Sequence, residues 1–196
     1  FVLPDGRTAL LDFGIVGRLS EPRRLAFLRL LMSATANDLT GQLEALRDLG
    51  ALPPDTDIQA VITDLGLDRP VVDPTTMSAD ELVHEIQRTI KALLGIGARL
   101  PKELMLFIKN LVFLDGAVAT LAPDLDIISE IGQVSMHFAT NHGERIAAEL
   151  GMEVGSYELD LTGVKASFGL DESVEGVTYR DLQQRREIIR DRLQRR

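Results

Sequence analysis

A chain of 196 residues, 45% hydrophobic and 26% charged, carries enough apolar material for one ordinary domain with a real core. Its net charge of -9 and pI near 4.8 exclude a nucleic-acid surface spread over the whole molecule. Cysteine is absent, which excludes disulfides, thiolate zinc sites and cysteine nucleophiles and fits a reducing compartment.

In chain order, Phe1–Leu3 and Thr8–Leu11 are short apolar runs flanking Pro4-Asp5-Gly6-Arg7, a strong hairpin signal because Pro presets φ and Gly accepts φ > 0. The chain opens on Phe1 inside this pattern, which reads as a fragment of a longer protein. A first helix follows Gly17, with Ser20 as cap, Pro22 in the first turn and Leu25, Leu28, Leu31 and Met32 on one face. Asp38 starts a second helix through Leu39, Leu43, Leu46 and Leu49, ended by Gly50. After the turn Leu52-Pro53-Pro54-Asp55 a short third helix is predicted from about Ile58 to Leu65.

Asp68 to Thr76 is Pro-rich and irregular. Ser78 with Glu81 forms a capping box, and Leu82, Ile86, Ile90 and Leu93 make the apolar stripe of a fourth helix. Pro101 opens the most buried-looking helix, through Leu104, Phe107, Ile108, Leu111, Val112, Leu114 and Val118. Lys109, Asn110 and Asp115 break this stretch, so no apolar run is expected to reach the roughly 18 residues of a membrane span, and no signal peptide is recognised. A further helix is predicted from about Leu125 to Thr140. Residues 151–177, interrupted by five glycines, read as a loosely ordered connector with one hairpin, Tyr157 to Leu161 alternating like a strand. Residues 178–196 return to a basic helix with Leu182, Ile188, Ile189 and Leu193 as its sparse apolar side. The fold expected is mainly α: a short N-terminal β-hairpin feeding a helical bundle over 1–150, then the connector and the basic helix.

Asp12-Phe13-Gly14 is the motif that carries chemistry. It follows the apolar run Ala9-Leu10-Leu11 and precedes a helix. An aspartate at a strand end offers magnesium a hard oxygen and offsets the charge of the cation, while glycine lets the backbone turn without a Cβ clash. On the tripeptide alone, a strand ending in a common Asp-Gly turn is the competing explanation. The wider string Phe1-Val2-Leu3-Pro4-Asp5-Gly6-Arg7-Thr8-Ala9-Leu10-Leu11-Asp12-Phe13-Gly14-Ile15-Val16-Gly17-Arg18-Leu19 resembles the corresponding stretch of the UbiB family of atypical kinases. The resemblance continues through Asp48-Leu49-Gly50-Ala51-Leu52-Pro53-Pro54, Leu100-Pro101-Lys102-Glu103-Leu104, Leu114-Asp115-Gly116 and Leu121-Ala122-Pro123-Asp124-Leu125, to about residue 131.

That resemblance implies a protein-kinase-like C-lobe, ATP as ligand and Mg2+ as cofactor. Asp12 would be the magnesium ligand, with Phe13 and Gly14 as its structural companions. It implies that the nucleotide loop, the ATP-contacting lysine and the catalytic loop lie upstream, so this fragment alone would be inactive. A role in ubiquinone or related isoprenoid-lipid metabolism follows, in the cytoplasm or at the periphery of the inner membrane. The competing class is a non-catalytic, pseudokinase-like helical interaction domain that retains the motif.

Other patterns are weaker. His84, His137 and His142 lack metal-ligand spacing, and Asp55, Asp57, Asp124 and Asp126 sit at helix starts, where acids satisfy free N–H groups. Gly95-Ile96-Gly97 has no preceding strand and reads as a helix end rather than a phosphate loop. The tail arginines, Arg180, Arg185, Arg186, Arg190, Arg192, Arg195 and Arg196, allow two readings. One is contact with anionic lipid, a membrane surface or an acidic protein partner; the other is a solvated helix laced with Asp181, Glu187 and Asp191.

Overall fold

A computed structural model describes residues 3–5, 7, 16–70, 72–153 and 155–194. Among them are eight helices: α1 (Glu21–Thr35), α2 (Leu39–Asp48), α3 (Ile58–Leu65), α4 (Ala79–Ile96), α5 (Lys102–Leu121), α6 (Ile127–Leu150), α7 (Thr162–Ser167) and α8 (Tyr179–Gln194). The protein is mainly helical, as its composition requires.

The N-terminal β-hairpin is not seen. The described residues contain no strand, and most of both apolar runs lies outside them. What is described is the turn: the Leu3 N–H donates to the Arg7 carbonyl at 2.8 Å, and the Asp5 carboxylate accepts from Arg7 Nε at 2.8 Å.

Helix starts follow local chemistry. Asp38, Asp57 and Asp126 cap α2, α3 and α6 by accepting backbone N–H groups of the first turn. At α4 both halves of the capping box form: the Ser78 N–H donates to Glu81 at 2.7 Å, and the Glu81 N–H donates back to the Ser78 hydroxyl at 3.3 Å. Gly97 ends α4 at φ +77, a left-handed cap that a side chain would strain, so the Gly95-Ile96-Gly97 string is indeed a helix end.

Two apolar clusters hold the first half of the chain. Ala26, Phe27, Leu49, Ala51 and Leu104 form one, joining α1, the end of α2 and the start of α5. Leu43, Leu52, Ile58, Val61 and Ile62 form the other, between α2 and α3. The face that α1 buries is Ala26, Phe27 and Ser33, rather than the predicted face through Leu25, Leu28, Leu31 and Met32, of which Leu31 is exposed. The edge-to-face contact of Phe27 on Phe107, 5.3 Å between centroids, sets this choice by seating α5 on that side of α1.

Burial on α4 and α5 departs further from expectation. Ile86, Ile90 and Leu93 are exposed, and α4 buries only Leu82. On α5 only Leu104 is buried; Met105, Ile108, Leu111, Val112, Phe113 and Leu114 all face water. α5 is also long and apolar enough to cross a membrane, with a mean hydropathy of 1.7. This corrects the expectation that Lys109, Asn110 and Asp115 rule such a span out. The same length and composition describe a helix that another domain covers. In either setting a contiguous apolar surface of this kind marks an interaction face.

Residues 151–177 are also better packed than their glycines imply. They contain α7, and Leu170 and Val177 join Ile128 of α6 and Leu182 of α8 in a third cluster. The predicted strand at Tyr157–Leu161 is absent among the described residues. Instead the Tyr157 hydroxyl is 2.7 Å from the Thr35 hydroxyl, and the Asp160 N–H donates to the Thr35 carbonyl at 2.9 Å, which ties the segment to the end of α1. α6 runs ten residues past its predicted end, to Leu150, where Gly151 caps it at φ +67.

Tyr179 is buried at the start of α8, and its hydroxyl has no hydrogen-bond partner among the described residues. An unmet buried hydroxyl costs about 1–3 kcal/mol. Tyr179→Phe is therefore expected to leave urea stability unchanged or raise it by about 1 kcal/mol. A clear loss of stability would reveal a bond to that hydroxyl.

Candidate functional site

Asp12, Phe13 and Gly14 lie outside the described residues. Description resumes at Val16, and residues 16–20 run without regular structure into α1. Gly17 and Leu19 of this stretch form one lip of a groove of about 460 Å³. Its other walls are α1 through Phe27, Leu28 and Leu31, α5 through Leu106, Phe107 and Asn110, and α6 through Phe138, His142 and Arg145. Two ion pairs fix the walls to one another: Arg23 of α1 with Glu103 of α5, and Arg24 of α1 with Glu149 of α6. Both are partly exposed, so they set orientation more than stability. The motif therefore leads in sequence to an apolar trough with a polar rim.

A second groove, of about 750 Å³, lies between α3 and α4. Its polar groups serve helix ends: Asp57 caps α3, and Arg88 pairs with Glu85 at 2.7 Å while donating to the Leu65 carbonyl at 3.3 Å. This is a helix junction with mixed charge rather than a reaction centre.

The histidines separate. His84 is exposed on α4, while the rings of His137, Phe138 and His142 cluster on α6, with 6.4 Å between the two histidine centroids. Among the described residues no group of three His, Asp or Glu is placed to hold a metal ion.

Several carboxylates are held below the ordinary range by donors. Arg180 does this to Asp124, the Thr178 hydroxyl to Asp181, the Ser173 hydroxyl to Asp171 and the Thr162 N–H to Asp160. Groups depressed in this way are structural anions, since a general acid near neutral pH needs the opposite shift.

The tail arginines are used inside the molecule. Arg180 grips Asp124 at 2.9 and 3.2 Å, and Arg186 grips Asp115 of α5 at 2.9 and 3.0 Å, both two-pronged. Arg185 reaches Asp73 at 2.7 Å and the Gly169 carbonyl at 2.8 Å, and Arg192 donates to the Met77 carbonyl. Arg190 stays with its own helix, 3.9 Å from Glu187 and 3.6 Å from Asp191. α8 is thus laced to four other segments, an arrangement that neither reading of the basic tail included. Arg195 and Arg196 lie outside the described residues.

Asp73 gives this lacing a pH dependence. Partial burial pushes its pKa up, but the Thr75 N–H and hydroxyl together with Arg185 outweigh that and hold it below the usual 3.8. A depressed carboxylate stabilises the fold fully above its unfolded value and loses that contribution as pH falls through the folded one. Asp73→Asn is therefore expected to lower stability at about pH 6 and to make no difference near pH 2, read by denaturant unfolding at both pH values. An equal loss at both would show that geometry, not charge, is what Asp73 supplies.

Sequence reasoning missed the groove, because its walls come from positions up to 132 residues apart, Gly17 and Glu149. Only the segment near Gly17 was flagged, through the motif.

No protein-family model matches the chain, and no solved structure does. It is 29% identical, over 66% of its length, to an uncharacterised aarF domain-containing protein kinase of Arabidopsis thaliana whose name places it in the chloroplast. It is 26% identical, over 97% of its length, to an uncharacterised protein of Synechocystis. The chain spans less than a third of each of these relatives, 28% and 30% respectively. What it resembles, over two thirds of its residues, is part of an aarF-domain kinase.

Proposed function

We propose that this chain is the C-lobe portion of a UbiB-like atypical kinase or ATPase, which binds Mg-ATP in the complete protein and acts in ubiquinone or related isoprenoid-lipid metabolism. The observation that carries the reading is the resemblance of residues 1–19 around Asp12-Phe13-Gly14, supported by the 29% identity to an aarF domain-containing protein kinase. Its mainly helical architecture is what a kinase-like C-lobe requires. The donor chemistry fits the cation: magnesium is held by one or two carboxylates together with phosphate oxygens and water, and Asp12 supplies one such carboxylate. Magnesium bound there would supply positive charge against the ATP phosphates. The part left to this chain is to hold Asp12 toward that cation, with Gly14 giving the turn its freedom.

A second reading is favoured by a specific observation. Exposed apolar residues such as Ile90 of α4, Val112 and Phe113 of α5 and Val134 of α6 are of the kind a protein partner covers, as in a non-catalytic interaction domain. The experiment that separates the two is a thermal-shift titration of the complete protein with ATP, with and without magnesium. The catalytic reading expects a shift that needs both; no shift at saturating Mg-ATP leaves the interaction domain.

A further inference from the structure

We propose that the second half of α8, from Arg185 to Gln194, is a salt-released strap that lifts off α4 and α5 while the first turn of the helix stays anchored. The two ends of α8 are held by different forces, and neither depends on ATP.

The first turn is held by burial. Tyr179 and Leu182 are 5% and 4% exposed, and Leu182 belongs to the third cluster. The Tyr179 and Arg180 N–H groups also donate to the Leu125 and Pro123 carbonyls, at 3.0 and 2.8 Å. Past Leu182 no described residue of α8 is buried. The side turned inward there carries Arg185, Ile189, Arg192 and Leu193, all partly buried and at helical spacing. Half of that stripe is arginine, so polar contacts must do much of the holding.

Those contacts reach separate segments. Arg185 meets Asp73, in the irregular stretch before α4, at 2.7 Å and the Gly169 carbonyl, just after α7, at 2.8 Å. Arg186 clasps Asp115 of α5 with two bonds of 2.9 and 3.0 Å, and Arg192 donates to the Met77 carbonyl ahead of the α4 cap. One strip of helix therefore seats the Asp73 stretch, the turn after α7 and α5 together. Its release would free all three at once.

Salt acts differently on the two ends. Partly exposed ion pairs are weak and screened, because the Debye length falls from about 10 Å at 0.1 M to about 3 Å at 1 M. Apolar burial is not screened in this way. High salt should lift the arginine half and leave Leu182 seated. A short helix without tertiary packing is marginal in water, so the amides of the lifted half should open to solvent.

The test is hydrogen exchange of the 196-residue chain, read by mass spectrometry at about 0.1 M and about 1 M sodium chloride. Amides of 185–194 should be protected at low salt and exchange at least about fivefold faster at high salt, the scale of two weak ion pairs. Amides around Ile128 should keep one rate at both. Asp115→Asn, which keeps the side chain's shape and removes the charge that Arg186 meets, should speed exchange of the strap at low salt and shrink its response to salt. Protection of 185–194 that ignores salt would overturn the proposal by showing a helix held through packing. So would exchange that is fast at both salt concentrations, since no strap would then be seated. A rise shared equally by Ile128 would overturn it as well, because α8 would then open only with the core. An Asp115→Asn protein with the wild-type salt response would remove the charge-based cause.

Discussion

Asp12→Asn in the complete protein is expected to abolish magnesium-dependent ATP binding. The substitution keeps the size and shape of the side chain but removes the negative charge proposed to hold the cation. Changing groups that merely orient a metal ligand costs about 10–100-fold in metal affinity, so loss of the ligand's own charge should cost at least about a hundredfold. Titration with ATP at fixed magnesium measures this directly, and a titration with magnesium omitted serves as its control. The variant should behave as wild type does without magnesium, because the proposed cation would lose the carboxylate that holds it. Undiminished Mg-ATP binding by a folded Asp12→Asn protein would sink the magnesium assignment. The motif would then be the strand-ending turn that its tripeptide alone also describes.

Leu182→Ala should destabilise the fold by about 2–5 kcal/mol, the range for a large-to-small change at a buried site. Leu182 is 4% exposed and packs with Ile128, Leu170 and Val177. It is the point where α8 and the 155–177 segment share one core with α6. Against a total stability of about 5–15 kcal/mol, such a loss is a large fraction. The arginine bridges of α8 cannot replace it, since exposed pairs such as Arg186–Asp115 contribute about 0–1 kcal/mol each.

Limited proteolysis distinguishes the consequences. With Leu182 truncated, cleavage should concentrate around α7 while the separate Phe27–Leu104 cluster stays protected. Arg186→Ala, in contrast, should shift stability by less than about 1 kcal/mol. If Leu182→Ala were as mild as Arg186→Ala, the third cluster would not be a core, and 151–177 would be the loose connector its glycines imply.

The helix boundaries were legible in the sequence for a physical reason. Capping is short-range: Asp57 meets N–H groups two and three residues on, and Ser78 and Glu81 complete each other across three. α3 therefore starts and ends where periodicity and its aspartate put it, and α4 begins at its capping box. The candidate site was legible only as residue types, because Asp12, Phe13 and Gly14 carry their meaning through a resemblance and not through neighbours that local chemistry specifies.

Which helix face is buried was not legible. The leucine and isoleucine stripes of α4 and α5 look like core faces, yet Ile90, Val112 and Phe113 face water. A stripe records that a side chain would rather leave water; whether it does depends on what stands opposite. Similarly, α6 outran its prediction, and Leu170 and Val177 were buried by α8 despite the glycines around them.

The sequence by itself determined a mainly helical chain and the starts of most of its helices, and it supplied the Asp12-Phe13-Gly14 string on whose resemblance the proposed function rests. Those follow from interactions spanning a few residues, or from the residue types alone. Only the tertiary structure decided which apolar stripes are paired and that the arginines of α8 clasp Asp73, Asp115 and Asp124. It alone brought Phe27, Phe107, Phe138 and Arg145 around one groove. The three ion pairs join residues 56 to 112 positions apart, and Phe27, Phe107 and Phe138 lie 31 to 111 apart, separations at which no local preference acts.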